Sequence, residues 1–367
     1  MKKSEKIISY IFLSLLIIIN MFQNSLYFSI SQNIENIIDL MAYLYIIILI
    51  FKYLKIKKNK TIFIAILSIS ILYTGYITSN LTFLSSLVYM MFIAISNEKD
   101  VLRYSTKIIE IVLAIHVFIY IVQILMGHIN IISDFSGRAR YKLGFTSPNT
   151  SGIYFLWILV AKVYLNDYSF KKTYKFLFIV FIAYVFNQSR TMLTCSIVLI
   201  ILMIMIKNKR YESILRLVAR NIILFFSIMV LGLSVLYIKD VNLVKKIDEI
   251  SSHRIFFSAK AIESYGITVF GKKTDHIKVN IDYYSGIIIT DVTYIALIYR
   301  YGIFYILVLC ILSRYITKTR SINEYILIIL YAIFALFEIY SLNFLICFPM
   351  VFGAKWIGEN KNDTEIN

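Results

Sequence analysis

The sequence has few of the residues that interrupt helices or cross-link chains: its 367 residues include two prolines, twelve glycines and three cysteines. Cys195, Cys310 and Cys347 stand singly inside apolar runs, with neither the spacing of a metal site nor a partner for a disulfide. We interpret them as small core or lipid-facing residues. Carboxylates are also scarce, and none of the predicted outer segments holds a cluster of the kind that binds a divalent metal. The sequence therefore predicts no metal and no other cofactor.

Long polar stretches are rare as well, which excludes a water-soluble fold. Hydrophobic residues make up 59% of the chain and aromatic residues 16%, and the mean hydropathy is +0.76. The apolar residues come in spans of about 17 to 22, the length that crosses a bilayer as a helix. The net charge of +17 does not indicate nucleic-acid binding, because the lysines lie between apolar spans, where they mark cytoplasmic loops and contact anionic lipid. We predict an all-α, polytopic integral membrane protein that binds membrane lipid and no nucleic acid.

Apolar runs along the whole chain predict about twelve transmembrane helices in a single membrane domain covering residues 1–367. The runs lie at residues 7–22, 34–51, 61–78, 81–95, 108–127, 149–165, 174–187, 191–206, 221–238, 292–313, 324–340 and 343–357. Loops on one side of the bilayer hold 22 lysines and arginines, and loops on the other side hold 12. This difference places both termini in the cytoplasm. The run after Lys6 lacks a small-residue cleavage site, so we expect it to remain as the first span.

One large loop, residues 239–290, lies between predicted helices nine and ten and is expected outside. Its acidic residues nearly balance its basic ones. Basic residues place short loops in the cytoplasm, but they have little influence on the side taken by a loop of this length. Apolar residues recur in it at helical spacing, so we predict an amphipathic helix on the outer membrane face, with Ser251 or Ser252 as a start and Gly266 as an end. Those apolar residues are Leu243, Ile247, Ile250, Phe257 and Ala261.

A polar, cationic island at residues 137–152 separates two apolar runs. One of the two prolines and three glycines break helix there, and its arginines are costly to place near hydrocarbon, so the segment must face water or a polar cavity. We predict that residues 144–152 form a tight non-helical turn, that Asn149 caps the next span, and that Arg138 or Arg140 meets the substrate.

Arg190 lies in the hairpin 187–191, which joins two predicted helices of about 15 residues and is too short to leave the membrane interface. A guanidinium stays charged and grips phosphate oxygens through two parallel hydrogen bonds. We predict that Arg190 and Arg254 clamp one lipid-linked phosphate or pyrophosphate on the outer face. The alternative is that Arg190 extends along the bilayer to ordinary headgroups.

Asp291 opens the apolar run at residues 292–313 and is the predicted proton acceptor. A base at an outer membrane surface takes a proton from a sugar hydroxyl, which a metal-free glycosyl transfer needs. An aspartate at a helix start is often only a cap, and His253 and His276 in the outer loop are alternative bases. Arg300, nine residues after Asp291, is expected about 13 Å deeper by helical rise.

Two further polar residues, His116 and Glu338, lie inside apolar runs. We interpret His116 as a core residue with satisfied hydrogen bonds. We expect Glu338, like Arg300, to face a polar interior cavity rather than lipid.

Several of these short motifs follow one another in an order that resembles a known family. They are Gly144-Phe145-Thr146-Ser147-Pro148-Asn149 with Gly152, then Ser189-Arg190, then Arg254 in an outer loop closed by Phe270-Gly271, then Asp291 with Tyr294 and Gly302. Their order and spacing over residues 137–302, with the overall topology, resemble the bacterial oligosaccharide repeat-unit polymerases of the Wzy type, which are related to the O-antigen ligases. Asp291-Val292 stands where the ligases carry a histidine followed by an asparagine, and so departs from the ligase pattern.

The resemblance implies a fold like that of the C-type glycosyltransferases and a metal-independent, inverting enzyme. Such an enzyme joins undecaprenyl-pyrophosphate-linked repeat units into a capsular, exopolysaccharide or O-antigen chain. The implied site has Asp291 as the catalytic residue and four arginines on the pyrophosphate, Arg190, Arg254, Arg138 and Arg140. The implied substrate pocket contains Asn149, Tyr294, His253, His276 and Arg300.

Two other functions compete with polymerisation. An O-antigen-type ligase would move a finished glycan to another acceptor, and a lipid-linked oligosaccharide flippase or transporter would also have about twelve helices. Transporters tend to show repeated halves with broken helices at matching positions, and the sequence shows no such repeat. The expected location is the cytoplasmic membrane of a bacterial cell with the active site outside. The expected partners are undecaprenyl-pyrophosphate-linked glycans and other polysaccharide-assembly membrane proteins.

Overall fold

The computed structural model describes residues 3–28, 30–53, 58–78, 81–128, 132–133, 139–251, 253–273, 278–281, 284–287, 291–319, 321–343 and 345–358. Within them the chain is helical apart from two short hairpins, which confirms the predicted all-α membrane protein. Five helices are long and apolar enough to cross a membrane: Ser4–Gln23, Asn33–Tyr53, Lys60–Thr78, Glu98–Leu125 and Lys209–Ile238. The larger count of about twelve spans, and the likeness to C-type glycosyltransferases, stay predictions.

The α-helices correspond one to one with the predicted apolar runs as far as residue 238, but the fifth helix begins ten residues and the ninth helix nine residues before its predicted run. In chain order they are α1 (Lys3–Gln23), α2 (Gln32–Tyr53), α3 (Lys58–Thr78), α4 (Thr82–Ile95), α5 (Glu98–Leu125), α6 (Pro148–Leu165), α7 (Phe170–Asn187), α8 (Arg190–Met205), α9 (Glu212–Ile238), α10 (Asn242–Ile250), α11 (Arg254–Tyr265), α12 (Thr293–Ala296), α13 (Ile303–Thr319), α14 (Ile322–Phe334) and α15 (Phe348–Gly358). The strands β1 (Ile132–Ser133) and β2 (Ala139–Arg140) pair antiparallel, as do β3 (Lys278–Ile281) and β4 (Tyr284–Ile287).

The chain divides into two compact units, and the first comprises residues 1–56, 88–209 and 354–367. In it α5 packs on α1 and α6, and α6 packs on α7 and α8. The Asn97 side chain starts α5 by accepting hydrogen bonds from the next turn, and Glu98 and Asp100 complement the positive end of the helix. Trp157 of α6 is almost fully buried. This unit carries the cationic island and the Arg190 hairpin.

The second unit comprises residues 57–87 and 210–353. Its centre is α9, which packs against α11, α13 and α14. Tyr294, Tyr305, Tyr325 and Tyr331 are almost fully buried in this unit. It carries Arg254, Asp291 and the helices of the predicted outer loop.

The outer loop contains two helices, where one was predicted. α10 buries Val244 and exposes an apolar stripe of Leu243, Ile247 and Ile250, which supports the predicted amphipathic character. Ser251 ends α10 and does not start a helix, and Ser252 lies outside the described residues. The turn that separates α10 from α11 is possible because His253 adopts a left-handed backbone with φ 61°. Gly266 ends α11, as predicted.

The apolar run at 292–313 is likewise not one helix. After α12 the chain makes a π-helical turn at Leu297–Tyr301 and breaks at Gly302, where φ is 104°. The freed N–H groups of Ile303 and Phe304 donate to the carbonyls of Thr268 (2.9 Å) and Val269 (3.1 Å). Residues 266–271 therefore form a strap that supplies the hydrogen bonds that the broken helix lacks. The break at Gly302 comes after Arg300, so the depth of about 13 Å predicted for Arg300 stays a prediction.

Candidate active site

The turn before α6 is built by a left-handed pair, Leu143 with φ 52° and Gly144 with φ 90°. A Cβ atom at Gly144 would lie 2.7 Å from the carbonyl oxygen of His116, so only glycine fits there. The tight turn predicted for residues 144–152 ends at Ser147, because α6 already begins at Pro148. Ser147, and not Asn149, caps that helix: its Oγ accepts from the Asn149 N–H at 3.2 Å.

Arg140 binds protein groups through two of its nitrogens. Its Nε–H donates to the carbonyl of Asn187 at 3.0 Å, and its Nη2 donates to Oδ1 of Asn149 at 2.7 Å. The guanidinium thus ties the end of α7 to the first turn of α6. Arg138 lies outside the described residues. Whether Arg140 also binds substrate stays a prediction.

Arg190 stands exposed at the first position of α8. The turn that presents it is tightly held, because the Ser189 N–H donates to Oδ1 of Asn187 (3.0 Å) and Ser189 Oγ caps α8 at the Met192 N–H (3.4 Å). Gly152 packs against this turn, and a Cβ there would lie 2.8 Å from Cβ of Ser189. A guanidinium on a fixed turn at a helix N-terminus is well placed to bind an anion.

Arg254 and Asp291 meet in the second unit. Nη2 of Arg254 lies 4.0 Å from Oδ2 of Asp291, and the Arg254 guanidinium carbon lies 5.6 Å from the centre of the Phe337 ring. The Arg254 side chain is 25% exposed and the Asp291 side chain 48%. The Nε of Arg254 is buried and has no hydrogen-bond partner among the residues that the structure describes. The pair is therefore loose, and the arginine retains hydrogen-bonding capacity for an oxyanion.

Two opposing effects act on the Asp291 carboxyl, which precedes α12. The surrounding protein partly removes water from it, and this burial raises its pKa above the ordinary aspartate value. The positive charge of Arg254 opposes that rise. The net rise in the pKa makes the Asp291 carboxylate a stronger base than an ordinary aspartate, and nearly half of its side chain still reaches solvent.

His253 and Asp248 form a second acid–base pair beside Arg254 in sequence. Oδ2 of Asp248 lies 3.2 Å from Nδ1 of His253, and Oδ1 accepts from the Phe256 N–H at 2.9 Å. The Asp248 side chain is only 3% exposed, whereas His253 is 35% exposed. A buried carboxylate that orients a half-buried imidazole is an arrangement that suits general-base chemistry. No sequence motif singled out Asp248, because its partner lies across a turn between two helices. His276 lies outside the described residues.

Two further predicted pocket residues, Tyr294 and Arg300, lie in the second unit. Tyr294 is 1% exposed and its hydroxyl donates to the carbonyl of Ala332 at 3.0 Å, so it packs in the core of its unit. Arg300 lies on the π-helical turn, 5.5 Å from the Tyr301 ring centre, and its buried Nε has no hydrogen-bond partner in the described part of the chain. Glu338 is buried, as expected for a residue that avoids lipid.

His116 lies in the core as predicted, but its hydrogen bonds are not all satisfied: the buried Nε2 has no partner among the residues that the structure describes. The residue is completely buried, its Nδ1 lies 2.8 Å from the Val112 carbonyl, and its ring stacks on Phe145 with centroids 4.7 Å apart.

Arg190 and Arg254 belong to different compact units, so their joint clamp stays a prediction. The fold and these contacts define an all-α membrane protein with exposed or half-exposed arginines and a carboxylate beside one of them. The chain matches no protein-family model, and no curated protein or solved structure matches it either.

Proposed function

We propose that the protein is a bacterial membrane glycosyltransferase that polymerises undecaprenyl-pyrophosphate-linked oligosaccharide repeat units into a surface polysaccharide. The observation that carries the proposal is the loose Arg254–Asp291 pair, whose arginine has a buried Nε without a described partner. Leaving a buried donor without an acceptor costs about 1–3 kcal/mol, which an oxyanion bound at this arginine would recover. The motif order described above supplies the identity of that oxyanion.

The reaction needs an acceptor hydroxyl, a base and a stabilised leaving group. The hydroxyl oxygen of one repeat unit attacks the anomeric carbon of the other unit's first sugar, and the bond from that carbon to the pyrophosphate oxygen breaks. The hydroxyl proton passes to a base, for which Asp291 is our first choice and His253 our second. The pyrophosphate leaves with both electrons of the broken bond, and Arg254 stabilises its charge. Attack opposite the leaving group inverts the anomeric centre.

The experiment is a transfer assay with purified protein in liposomes, using a lipid-linked repeat unit and measuring product length on a gel. A polymerase gives a ladder of repeats. A ligase gives one product in which the glycan is moved to a different acceptor, and a flippase moves the lipid across the bilayer with no new glycosidic bond. Either of the last two outcomes would refute polymerisation.

The Arg254→Lys variant, measured in the same assay, tests the role of Arg254 in binding the pyrophosphate. Lysine keeps the charge but loses the planar fork, so we expect the rate to fall by about tenfold or more with unchanged protein yield. Arg216→Lys is the matched control, because Arg216 lies in the same unit, is exposed, pairs with Glu212 at 3.3 Å and lies over the Tyr325 ring much as Arg254 lies over the Phe337 ring. Equal rates for the two variants would remove Arg254 from the site.

A further inference from the structure

A groove runs along the hairpin formed by α7 and α8 in the first unit. Its volume is about 800 Å³, and its wall is almost entirely apolar. Phe178, Phe181 and Tyr184 line it from α7, and Leu193, Ile197 and Ile200 line it from α8. Phe178 and Phe181 are more than half exposed, so the groove opens to the outside of the fold.

The groove is suited to hydrocarbon rather than to a polar ligand. Lys175, near the start of α7, is the charged residue of its wall. The Ser196 hydroxyl also belongs to the wall, but it donates to the Met192 carbonyl at 2.7 Å within α8. The aromatic rings offer large, rigid apolar surfaces. A flexible apolar chain fits such a surface without needing polar partners.

Arg190 is not part of the groove wall, but it begins α8 about one turn before Leu193, the first α8 residue of that wall. Leu193 and Ile197 follow Arg190 by three and seven residues, so all three share one face of α8. From Arg190 to Ile200 the helix rises about 15 Å, which is half of the roughly 30 Å hydrocarbon core. The groove therefore has the length of one leaflet, with a guanidinium at its mouth.

Charge distinguishes the possible occupants. The mouth combines the Arg190 guanidinium with the positive N-terminus of α8, both of which favour a highly charged anion. A zwitterionic phospholipid brings its own ammonium group and gains less there. A lipid pyrophosphate brings more negative charge on a single chain.

We propose that the α7–α8 groove holds the isoprenoid chain of a polyprenyl pyrophosphate, with the pyrophosphate at Arg190. The choice of ligand rests on the proposed function, whereas the groove and its cationic mouth are features of the described chain. The groove then guides the lipid-linked substrate by its tail and fixes the depth of its head.

The test uses the full-length protein in lipid nanodiscs and a polyprenyl pyrophosphate that carries a photoreactive diazirine on its chain. After irradiation, labelled peptides are identified by mass spectrometry. We expect the label to concentrate on residues 174–200. Uncharged polyprenol and a diazirine-bearing diacyl phosphatidic acid are the comparison probes, and both should label this segment about tenfold less at equal concentration.

Two substitutions refine the result. Ile197→Trp fills the groove and should reduce labelling severalfold, whereas Ile201→Trp should not, because Ile201 has the same exposure on α8 (50% against 49%) but does not line the groove. Arg190→Gln should bring labelling by the pyrophosphate probe down to that of polyprenol.

Label spread evenly over the exposed helices, or equal labelling by phosphatidic acid, would overturn the proposal and identify the occupant as bulk lipid. Because labelling of the wild-type protein alone distinguishes these outcomes, a variant that fails to fold does not change the conclusion. Labelling of the groove in a protein that transfers no glycan would refute the polymerase function but not the groove. Polymerisation by a protein that is labelled outside the groove would refute the groove but not the polymerase function.

Discussion

The Arg254 guanidinium lies 4.0 Å from the Asp291 carboxylate, at the outer limit of an ion pair, with both side chains partly open to solvent. Exposed pairs at this distance contribute little stability, about 0–1 kcal/mol. The pair is therefore easily separated by a ligand. We expect an anion that binds Arg254 to offset the positive charge that lowers the Asp291 pKa, so that burial dominates and the carboxylate becomes a stronger base.

Asp291→Asn is expected to reduce polymerisation by about 10²–10⁴-fold, the usual contribution of a general base. Asparagine keeps the size and much of the hydrogen bonding but cannot accept the proton. In the wild type, the rate should fall as the pH drops through the raised pKa of Asp291, because only the carboxylate accepts a proton. The measurement is the pH dependence of the initial rate in liposomes, which should show an acid limb at a higher pH than an ordinary aspartate gives.

Asp240→Asn is the control for this change, since Asp240 is 79% exposed and pairs only with Lys245 in the described part of the chain. Normal chain lengths with Asp291→Asn, together with loss of polymer in His253→Ala, would assign the base to His253 and leave Asp291 as a helix cap.

Asp248 should matter for stability independently of catalysis. Asp248→Ala removes the acceptor of the buried Phe256 N–H, and we expect a loss of about 1–3 kcal/mol in the free energy of unfolding. Asp248→Asn retains an acceptor oxygen and should lose less. The readouts are thermal unfolding of the purified protein and protease cleavage between α10 and α11. Glu249→Ala, at an exposed position of α10, should change stability by less than about 0.5 kcal/mol, and an equal effect of the two alanine variants would contradict the role of Asp248.

Sequence pattern alone located one helix for each apolar run up to residue 238, but it placed the starts of α5 and α9 too late, because the charged segments before those two runs are also largely helical. It failed where tertiary contacts decide the backbone. The break at Gly302 is stabilised by the carbonyls of Thr268 and Val269, which lie more than thirty residues earlier in the chain. The sequence around Gly302 does not indicate that these carbonyls lie nearby. The division of α10 from α11 depends on a left-handed His253, a conformation that a histidine seldom adopts.

The candidate site was predictable to a similar extent. Arginines and carboxylates in an apolar chain are conspicuous, so Arg190, Arg254 and Asp291 were identified by their scarcity. Their partners were not, because the bonds from Arg140 to Asn187 and between Asp248 and His253 depend on how the helices meet. The cap of α6 was predicted at Asn149 and lies instead at Ser147, since both residue types cap helices and the pattern does not choose between them.

The predicted topology can be checked by reporter fusions. The 22-to-12 distribution of basic residues places Lys209 in the cytoplasm and the loop containing Lys273 outside. A thiol near Lys273 should react with a membrane-impermeant reagent in intact cells, and one near Lys209 only after permeabilisation. A cytoplasmic Lys273 would place Arg254 on the cytoplasmic face of the membrane and refute the proposed outer active site.

Gly302→Ala tests whether the strap at residues 266–271 holds the broken helix. A Cβ at Gly302 would lie 2.2 Å from the Val269 carbonyl oxygen, and its φ of 104° is unfavourable for any L side chain. Strain and forced displacement together should lower the free energy of unfolding by roughly 2–5 kcal/mol. Gly232→Ala in α9 is the matched control, because a Cβ there meets nothing within 4 Å and alanine is the better helix former, so stability should hold or rise slightly. The measurement is the apparent melting temperature of both variants beside the wild type. If Gly302→Ala has the same melting temperature as the wild type, the strap does not pack closely against Gly302. The π-helical turn that carries Arg300 must then be held by other contacts.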